Sequence, residues 1–349
     1  MKSIARNAVL FLAAAASLSS SLAIAQDGAS DGTITTETHR FQMLADGVYL
    51  AMYTVPMFNS NSLVVINDED VLVVDSHITP RAAKQLLAGI AEITDKPITT
   101  LVYTHFHYDH AHGTQAFGDV QIIGHEFTRK TMAGDPHNEP TFQREKAGQP
   151  RAIAWLESQL ESATSDEQRE QLEYRLGLAR ARAEATKGIE PVPPDTTLTD
   201  RLDLIRGDRE IQVIFCGRAH TGGDVVVYLP ADKLVYTGDM AFSGPSFLGD
   251  GHVDEWPDTL MKLKELDVEL YVPGHGPPFT DSGRLDLVAD YYRVLWKQVV
   301  AARADGANAG EATSRVDLTS FADTLGIRRP GTDPLAVARI YQLLDERGD

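Results

Sequence analysis

An α/β fold is predicted by three features of this 349-residue chain. Short apolar, β-branched runs alternate with helical stretches over roughly residues 41–123, the rhythm of a layered α/β domain. A charged, Ala/Glu/Arg/Gln-rich span from about residue 136 to 194 interrupts that rhythm, and strands then resume. Beyond about residue 281 the chain reads as helical to its end.

The first strands form a meander over 47–53, 62–66 and 71–75, with Asn67-Asp68-Glu69-Asp70 as a polar turn. The linker from Thr54 to Ser60 carries Met57 and Phe58 on an expected loop, which suits either a flap over a substrate or a fold back onto the core. Asp75 closes four consecutive apolar residues, and a carboxylate at the edge of a buried strand needs a partner; bracing a metal-ligand loop would supply one. Thr79 before Pro80 starts a helix that runs to about Ile93. Lys96-Pro97 breaks it before the strand 98–103, and a short helix at 111–117 and a strand at 120–123 follow.

The interrupting span reads as a helical hairpin, a solvated lid or rim, inserted between two halves of the domain. One helix lies near 152–161, and Ser165-x-x-Gln168 is a capping box that opens a second helix reaching about Ala185. The second half returns to strands at 203–205, 211–215, 225–229, 234–236 and 270–272, with a helix at 256–266 and later helices at 285–302 and 334–346.

Composition narrows function. Thirty-two basic against fifty acidic residues give a net charge of −18, which repels nucleic-acid phosphates, so a nucleic-acid partner is not expected. Lys2 and Arg6, the apolar run 8–16 and Ala23-Ile24-Ala25 form an export signal with cleavage expected near Ala25. Its loss removes two positive charges, −18 − 2, or about −20 for the mature chain. An exported, periplasmic protein without stable membrane insertion is therefore expected; nothing fixes an oligomeric state. The single cysteine, Cys216, sits in an apolar strand and reads as a small core residue.

The chemistry concentrates in Thr104-His105-Phe106-His107-Tyr108-Asp109-His110, at the end of a buried strand. Such a run arises by chance in roughly one chain per thousand at this histidine content, so metal binding is the reading. Imidazole with carboxylate suits zinc or iron better than calcium or magnesium. Three further residues stand at strand ends beside glycines: His220, Asp239 and His275. The other histidines, at 39, 77, 112, 125, 137 and 252, are expected to be surface or structural.

The series Asp75, His105-x-His107-x-Asp109-His110, His220, Asp239 and His275 resembles the motif series of the metallo-β-lactamase fold superfamily over about residues 41–280. The resemblance implies a four-layer αββα sandwich, here with an inserted helical hairpin and a helical C-terminal extension at 281–349. It implies that His105, His107 and His220 hold one metal, that Asp109, His110 and His275 hold a second, and that Asp239 bridges them, with Asp75 behind the ligands. Two zinc ions per chain are expected; iron is the alternative. Two such ions can share a hydroxide at neutral pH, and Asp109 has a second oxygen with which to accept a proton. Asp239 stands where the most similar true β-lactamases carry Cys and resembles the family's thioesterases and lactonases. The expectation is thus an exported dinuclear zinc hydrolase of a small ester, lactone, thioester or amide, with β-lactam cleavage secondary. The alternatives are a mononuclear iron sulfur dioxygenase-type enzyme and a non-catalytic metal-stabilised periplasmic binding or relay protein.

Overall fold

The structure, a computed structural model, describes residues 32–55, 59–134, 140–327 and 332–348. The expected export signal, His137 and the centre of the apolar linker, 56–58, lie outside the described residues.

Two sheets form the middle of the fold. The first has eight strands in sequence order: β1 (Ile34–Thr35), β2 (His39–Ala45), β3 (Val48–Tyr53), β4 (Ser62–Ile66), β5 (Val71–Val74), β6 (Ile98–Val102), β7 (Gln121–His125) and β8 (Thr196–Leu198). It is antiparallel to β5 and parallel from β5 to β8. The second has five strands: β9 (Arg201–Arg206), β10 (Arg209–Ile214), β11 (Val226–Leu229), β12 (Leu234–Gly238) and β13 (Leu270–Pro273), the last parallel to β12.

Side-chain alternation sets the layers. In β4 and β5, Leu63, Val65, Leu72 and Val74 join Ile211, Val213, Val227 and Tyr236 in the core between the sheets, whereas Val64, Val71 and Val73 pack on the other face. Both faces are apolar because both are covered. Helix α1 (Pro80–Ala91) covers the first sheet through Leu86 and Ile90, and Thr79 caps it as expected, its side chain accepting from the Ala82 N–H. The second sheet is covered by α6 (Trp256–Leu263), α7 (Gly283–Ala304) and α9 (Pro334–Arg347), through Trp256, Leu260, Tyr292, Leu295 and Ile340. The result is the αββα sandwich, and the C-terminal helices form part of its outer layer.

Several elements differ from expectation. The helix expected at 111–117 starts earlier, as α2 (Tyr108–Ala111), followed by a 3-10 turn at Thr114–Ala116, so Asp109 and His110 ride on a helical turn. Helix α3 (Glu126–Gly134), strand β8 and helix α8 (Ala309–Arg315) were not expected. The hairpin consists of α4 (Pro140–Glu161) and α5 (Asp166–Ala185), the latter capped by Ser165. Helix α4 starts twelve residues before the expected 152 and runs through Pro150; Pro150 is exposed, so the carbonyl its missing N–H would have satisfied can be hydrated. The hairpin connects β7 to β8, two strands of one sheet, and does not separate the two halves of the sandwich. Cys216 is buried, and burial pushes its thiol up to about 12, in keeping with a core residue.

Candidate metal centre

Apart from His220, which stands in the loop before a strand, every sequence-predicted site residue follows the C-terminal end of a strand. Strand β5 ends at Val74, and Asp75 follows with φ 63°, in the left-handed region, as does His77 with φ 67°. Two non-glycine residues so close together in this region concentrate backbone strain at the site's floor. Strand β6 delivers Thr104 to His107, and α2 carries Asp109 and His110. His220 precedes β11, Asp239 follows β12 and His275 follows β13.

These side chains converge. Three groups bring ligand atoms within 4.8 Å of one another: His105, His107 and His220; His105, His110 and Asp239; and Asp109, His110 and His275. The outer two are the ligand sets that the resemblance implies, and the middle one joins them. One Asp239 oxygen lies 3.3 Å from His110 Nε2, and the other lies 3.5 Å from His220 Nε2 and 3.7 Å from His275 Nε2. Asp109 Oδ2 lies 3.0 Å from His275 Nε2 and 3.4 Å from His110 Nε2.

Glycine permits this crowding at two points. A Cβ on Gly274 would lie 2.5 Å from Asp239 Oδ1 and 2.7 Å from His110 Cε1. Gly238 takes φ +51°, and a Cβ there would meet Thr104 Oγ1 at 2.5 Å.

The outer hydrogen bonds decide which ring nitrogen faces inward. Asp75, fully buried, accepts from His110 Nδ1 at 2.7 Å, from the Thr104 N–H at 2.9 Å and from Thr104 Oγ1 at 2.9 Å, with Tyr236 OH at 3.3 Å. Since Thr104 spends its one hydroxyl hydrogen on Asp75, its oxygen accepts from His105 Nδ1, 3.0 Å away. Asp75 thus orients His110 directly and His105 through Thr104. His220 Nδ1 donates to the Phe247 carbonyl at 3.0 Å, and His107 Nε2 donates to Asp250 at 3.0 Å.

What remains inside is a ring of acceptors. His107 Nδ1 and His220 Nε2 face each other at 2.9 Å although both outer nitrogens already carry the proton. His105 Nε2, His110 Nε2 and Asp239 Oδ1 are buried with no hydrogen-bond partner among the described residues. Buried acceptors that converge without donors suit a cation.

The electrostatics favour positive charge at the carboxylate-rich end of this ring, where in the metal-free protein a proton on His110 takes the place a cation would fill. Burial, followed by the neighbouring imidazoles, holds His105 well below its ordinary value and His220 at about 3, so both are neutral. Burial opposes the charge of Asp109, yet His110 and His275 outweigh it and keep Asp109 well below the usual carboxylate range. Asp239 is held low in the same way, by His275 and His110. Burial likewise opposes charge on His110, and Asp239, Asp109 and Asp75 overcome it to raise His110 well above its ordinary value.

Sequence reasoning missed two contributors. Asp250 lies in the irregular segment between β12 and α6, where no spacing marks it. Asp224 shapes the His220 loop by accepting from the Thr221 N–H at 2.7 Å and Thr221 Oγ1 at 3.0 Å; the Asp four residues after His220, beside two glycines, was a readable turn signal. Of the remaining histidines, His39, His77, His112, His125 and His252 are all buried, so the surface half of that expectation is corrected. His39 and His77 pair through their Nε2 atoms at 3.0 Å beneath the site.

Comparison with known proteins places these features in a wider group. The model of the metallo-beta-lactamase superfamily matches residues 55–275, more than half of the chain. The alpha subunit of a 2,4-dinitroanisole O-demethylase from a Nocardioides species is 26% identical over 299 residues, covering 83% of this chain and 69% of that protein. A linear primary-alkylsulfatase from a Pseudomonas species is 23% identical over 270 residues, covering 72% of this chain and 48% of the relative, so the chain spans about half of that protein's length. Among solved structures, the DIM-1 metallo-beta-lactamase superposes with a TM-score of 0.51 at 18% identity, covering 72% of this chain and 97% of that one. That likeness is one of fold.

Proposed function

The chain belongs to the metallo-beta-lactamase superfamily, and from that premise we propose that it is a hydrolase that holds two zinc ions and cleaves a small ester, lactone, thioester or amide. The observation that carries the proposal is the placement of Asp239 between two complete ligand groups. In this reading His105, His107 and His220 would hold one ion, Asp109, His110 and His275 would hold the other, and Asp239 would serve both. Such a pair would supply a water nucleophile near neutral pH and a Lewis acid for the electrophilic oxygen.

The chain's own residues supply the rest. Asp75, Asp250 and the Phe247 carbonyl set the outer nitrogens of His105, His107, His110 and His220 as donors, leaving the inner nitrogen of each to face an ion. Asp109 turns Oδ2 to His110 and His275, and Oδ1 makes no hydrogen bond among the described residues; Oδ1 is the oxygen that accepts a proton in the reaction. Phe242 stacks on His275 at 6.3 Å and Phe247 stands edge-on to His107 at 6.4 Å, so the substrate meets an aromatic rim.

The two curated relatives are named for acting on 2,4-dinitroanisole and on linear primary alkyl sulfates. The substrate range tested for this chain therefore includes an aryl ether and a sulfate ester beside esters, lactones, thioesters and β-lactams, the last expected to be weak. The substrate is a small molecule; with a charge of −18 the chain disfavours a polyanion. Export to the periplasm belongs to the same proposal and rests on Lys2, Arg6, the apolar run and the small residues at 23 and 25; among the described residues no helix is long and apolar enough to cross a membrane. An N-terminus at Gln26 in protein recovered from cells supports export, and an intact leader refutes cleavage. Elemental analysis with turnover over that substrate range tests the hydrolase. Two zinc ions and chelator-sensitive hydrolysis support it, whereas one iron and oxygen consumption, or well-metallated protein that turns over nothing, refutes it.

A further inference from the structure

We propose that the inserted helical hairpin is a working part of the metal centre, and that Asp250 is the positioning residue through which the first turn of α4 sets His107. The inference rests on the metal-binding reading above.

His107 is the exception among the inner imidazoles. His105, His110 and His220 turn Nε2 inward, but His107 presents Nδ1, 2.9 Å from His220 Nε2, so its Nε2 points away from the centre. An imidazole bound through Nδ1 needs its proton on Nε2, and the Asp250 carboxylate, 3.0 Å from that atom, selects this tautomer.

Asp250 needs support in turn, because it lies in a segment with no helix or strand between Gly238 and Trp256. The support comes from the hairpin: Thr141 Oγ1, in the first turn of α4, donates to the same Asp250 oxygen. That turn is anchored on the metal-binding motif itself. Phe142 is buried and packs edge-on to His112 at 4.8 Å and against Tyr108 at 5.9 Å, respectively the residue just after the helix carrying Asp109 and His110 and the first residue of that helix. Two residues on, the Arg144 guanidinium lies 5.8 Å over the Phe247 ring, and the Phe247 carbonyl accepts from His220 Nδ1. One turn of the hairpin therefore supports the outer partners of two of the three imidazoles in the first ligand group, His107 and His220. A rim that merely covered the site would have no reason to reach those partners.

The chain runs from Thr141 through Asp250 to His107, so effects on metal should appear in the first ligand group and leave the second alone. Removing a partner that orients a metal-bound histidine weakens affinity by roughly 10–100-fold. Asp250→Asn keeps an acceptor oxygen and should restore part of it.

The test is zinc competition against a chromogenic chelator, with the visible spectrum of the cobalt-substituted protein as a second readout, on the parent, Asp250→Ala, Asp250→Asn, Thr141→Val and the Thr141→Val/Asp250→Ala double variant. If the parent does not bind two ions, the metal reading itself fails. If it does, Asp250→Ala should weaken one ion by roughly 10–100-fold and leave the other at parent affinity. Asp250→Asn should fall between, Thr141→Val should shift the same ion by less, and Thr141→Val should add nothing once Asp250 is gone. Parent-like affinity for both ions in Asp250→Ala, or equal loss of both, overturns the proposal. Thr141→Val removes only a hydroxyl and decides the matter if Asp250→Ala does not fold, because parent-like affinity and spectrum there also overturn it.

Discussion

Asp75 and His110, thirty-five residues apart, meet in a 2.7 Å hydrogen bond in which both side chains are fully buried. The carboxylate also receives Thr104 and, through it, governs His105. One acid thus fixes two imidazoles, one from each outer ligand group.

Replacing Asp75 therefore separates orientation from folding. Asparagine tolerates the left-handed backbone at this position and keeps an acceptor, so Asp75→Asn should remain folded while losing roughly 10–100-fold in zinc affinity. Asp75→Ala leaves buried donors unmatched and should cost on the order of 3 kcal/mol as well. Denaturant unfolding of metal-free protein beside chelator competition distinguishes the two losses.

Gly274 yields a second prediction. Its missing Cβ leaves room for Asp239 Oδ1 and His110 Cε1. Gly274→Ala should displace one of them and reduce metal content and kcat at least tenfold (~1.4 kcal/mol), while the melting temperature of the metal-free protein changes little. Circular dichroism melting and metal analysis of the purified variant check this.

Acid stability supplies a third, at a histidine that is not itself one of the ligands. Burial, then the charges of Arg218 and Arg339, lowers His252 to about 4 from 6.5, with Glu255 and Asp254 opposing. The folded state resists its protonation, so this contribution to stability is complete above pH 6.5 and is lost as the pH falls toward 4. His252→Gln should be less acid-sensitive than the parent by roughly 1–2 kcal/mol across that window, allowing for screening by solvent. Denaturant melts of both metal-free proteins at pH 7, 5.5 and 4.5 measure the difference.

The ligands were legible in the sequence because each stands beside one end of a short apolar strand, after it or, for His220, before it. The run Val71–Val74 announces burial, which makes Asp75 conspicuous; Ile98–Val102 does the same for the histidines after it. His220, Asp239 and His275 become readable only as a set, beside glycines and in motif order. What stayed hidden depends on contacts made across the fold. Asp250 and Thr141 meet over 109 residues, one in an irregular segment and the other on a helix whose start is masked by Pro150 and a polar surface. Strand β2 escaped exact placement because His39, Arg40 and Gln42 dilute its apolar pattern, although His39 is buried against His77. The burial of five histidines could not be read from local sequence, since imidazole packs in a core or on a surface according to its partners.

The central claim is a two-ion centre bridged by Asp239, and stepwise zinc loading of metal-free protein, followed by turnover of a generic ester or lactone, tests it most directly. The account predicts two equivalents bound per chain, activity that requires both, and an Asp239→Ala variant that stays folded but is inactive and weakened for both ions. Saturation at one equivalent with full activity, or full activity in Asp239→Ala, would contradict it.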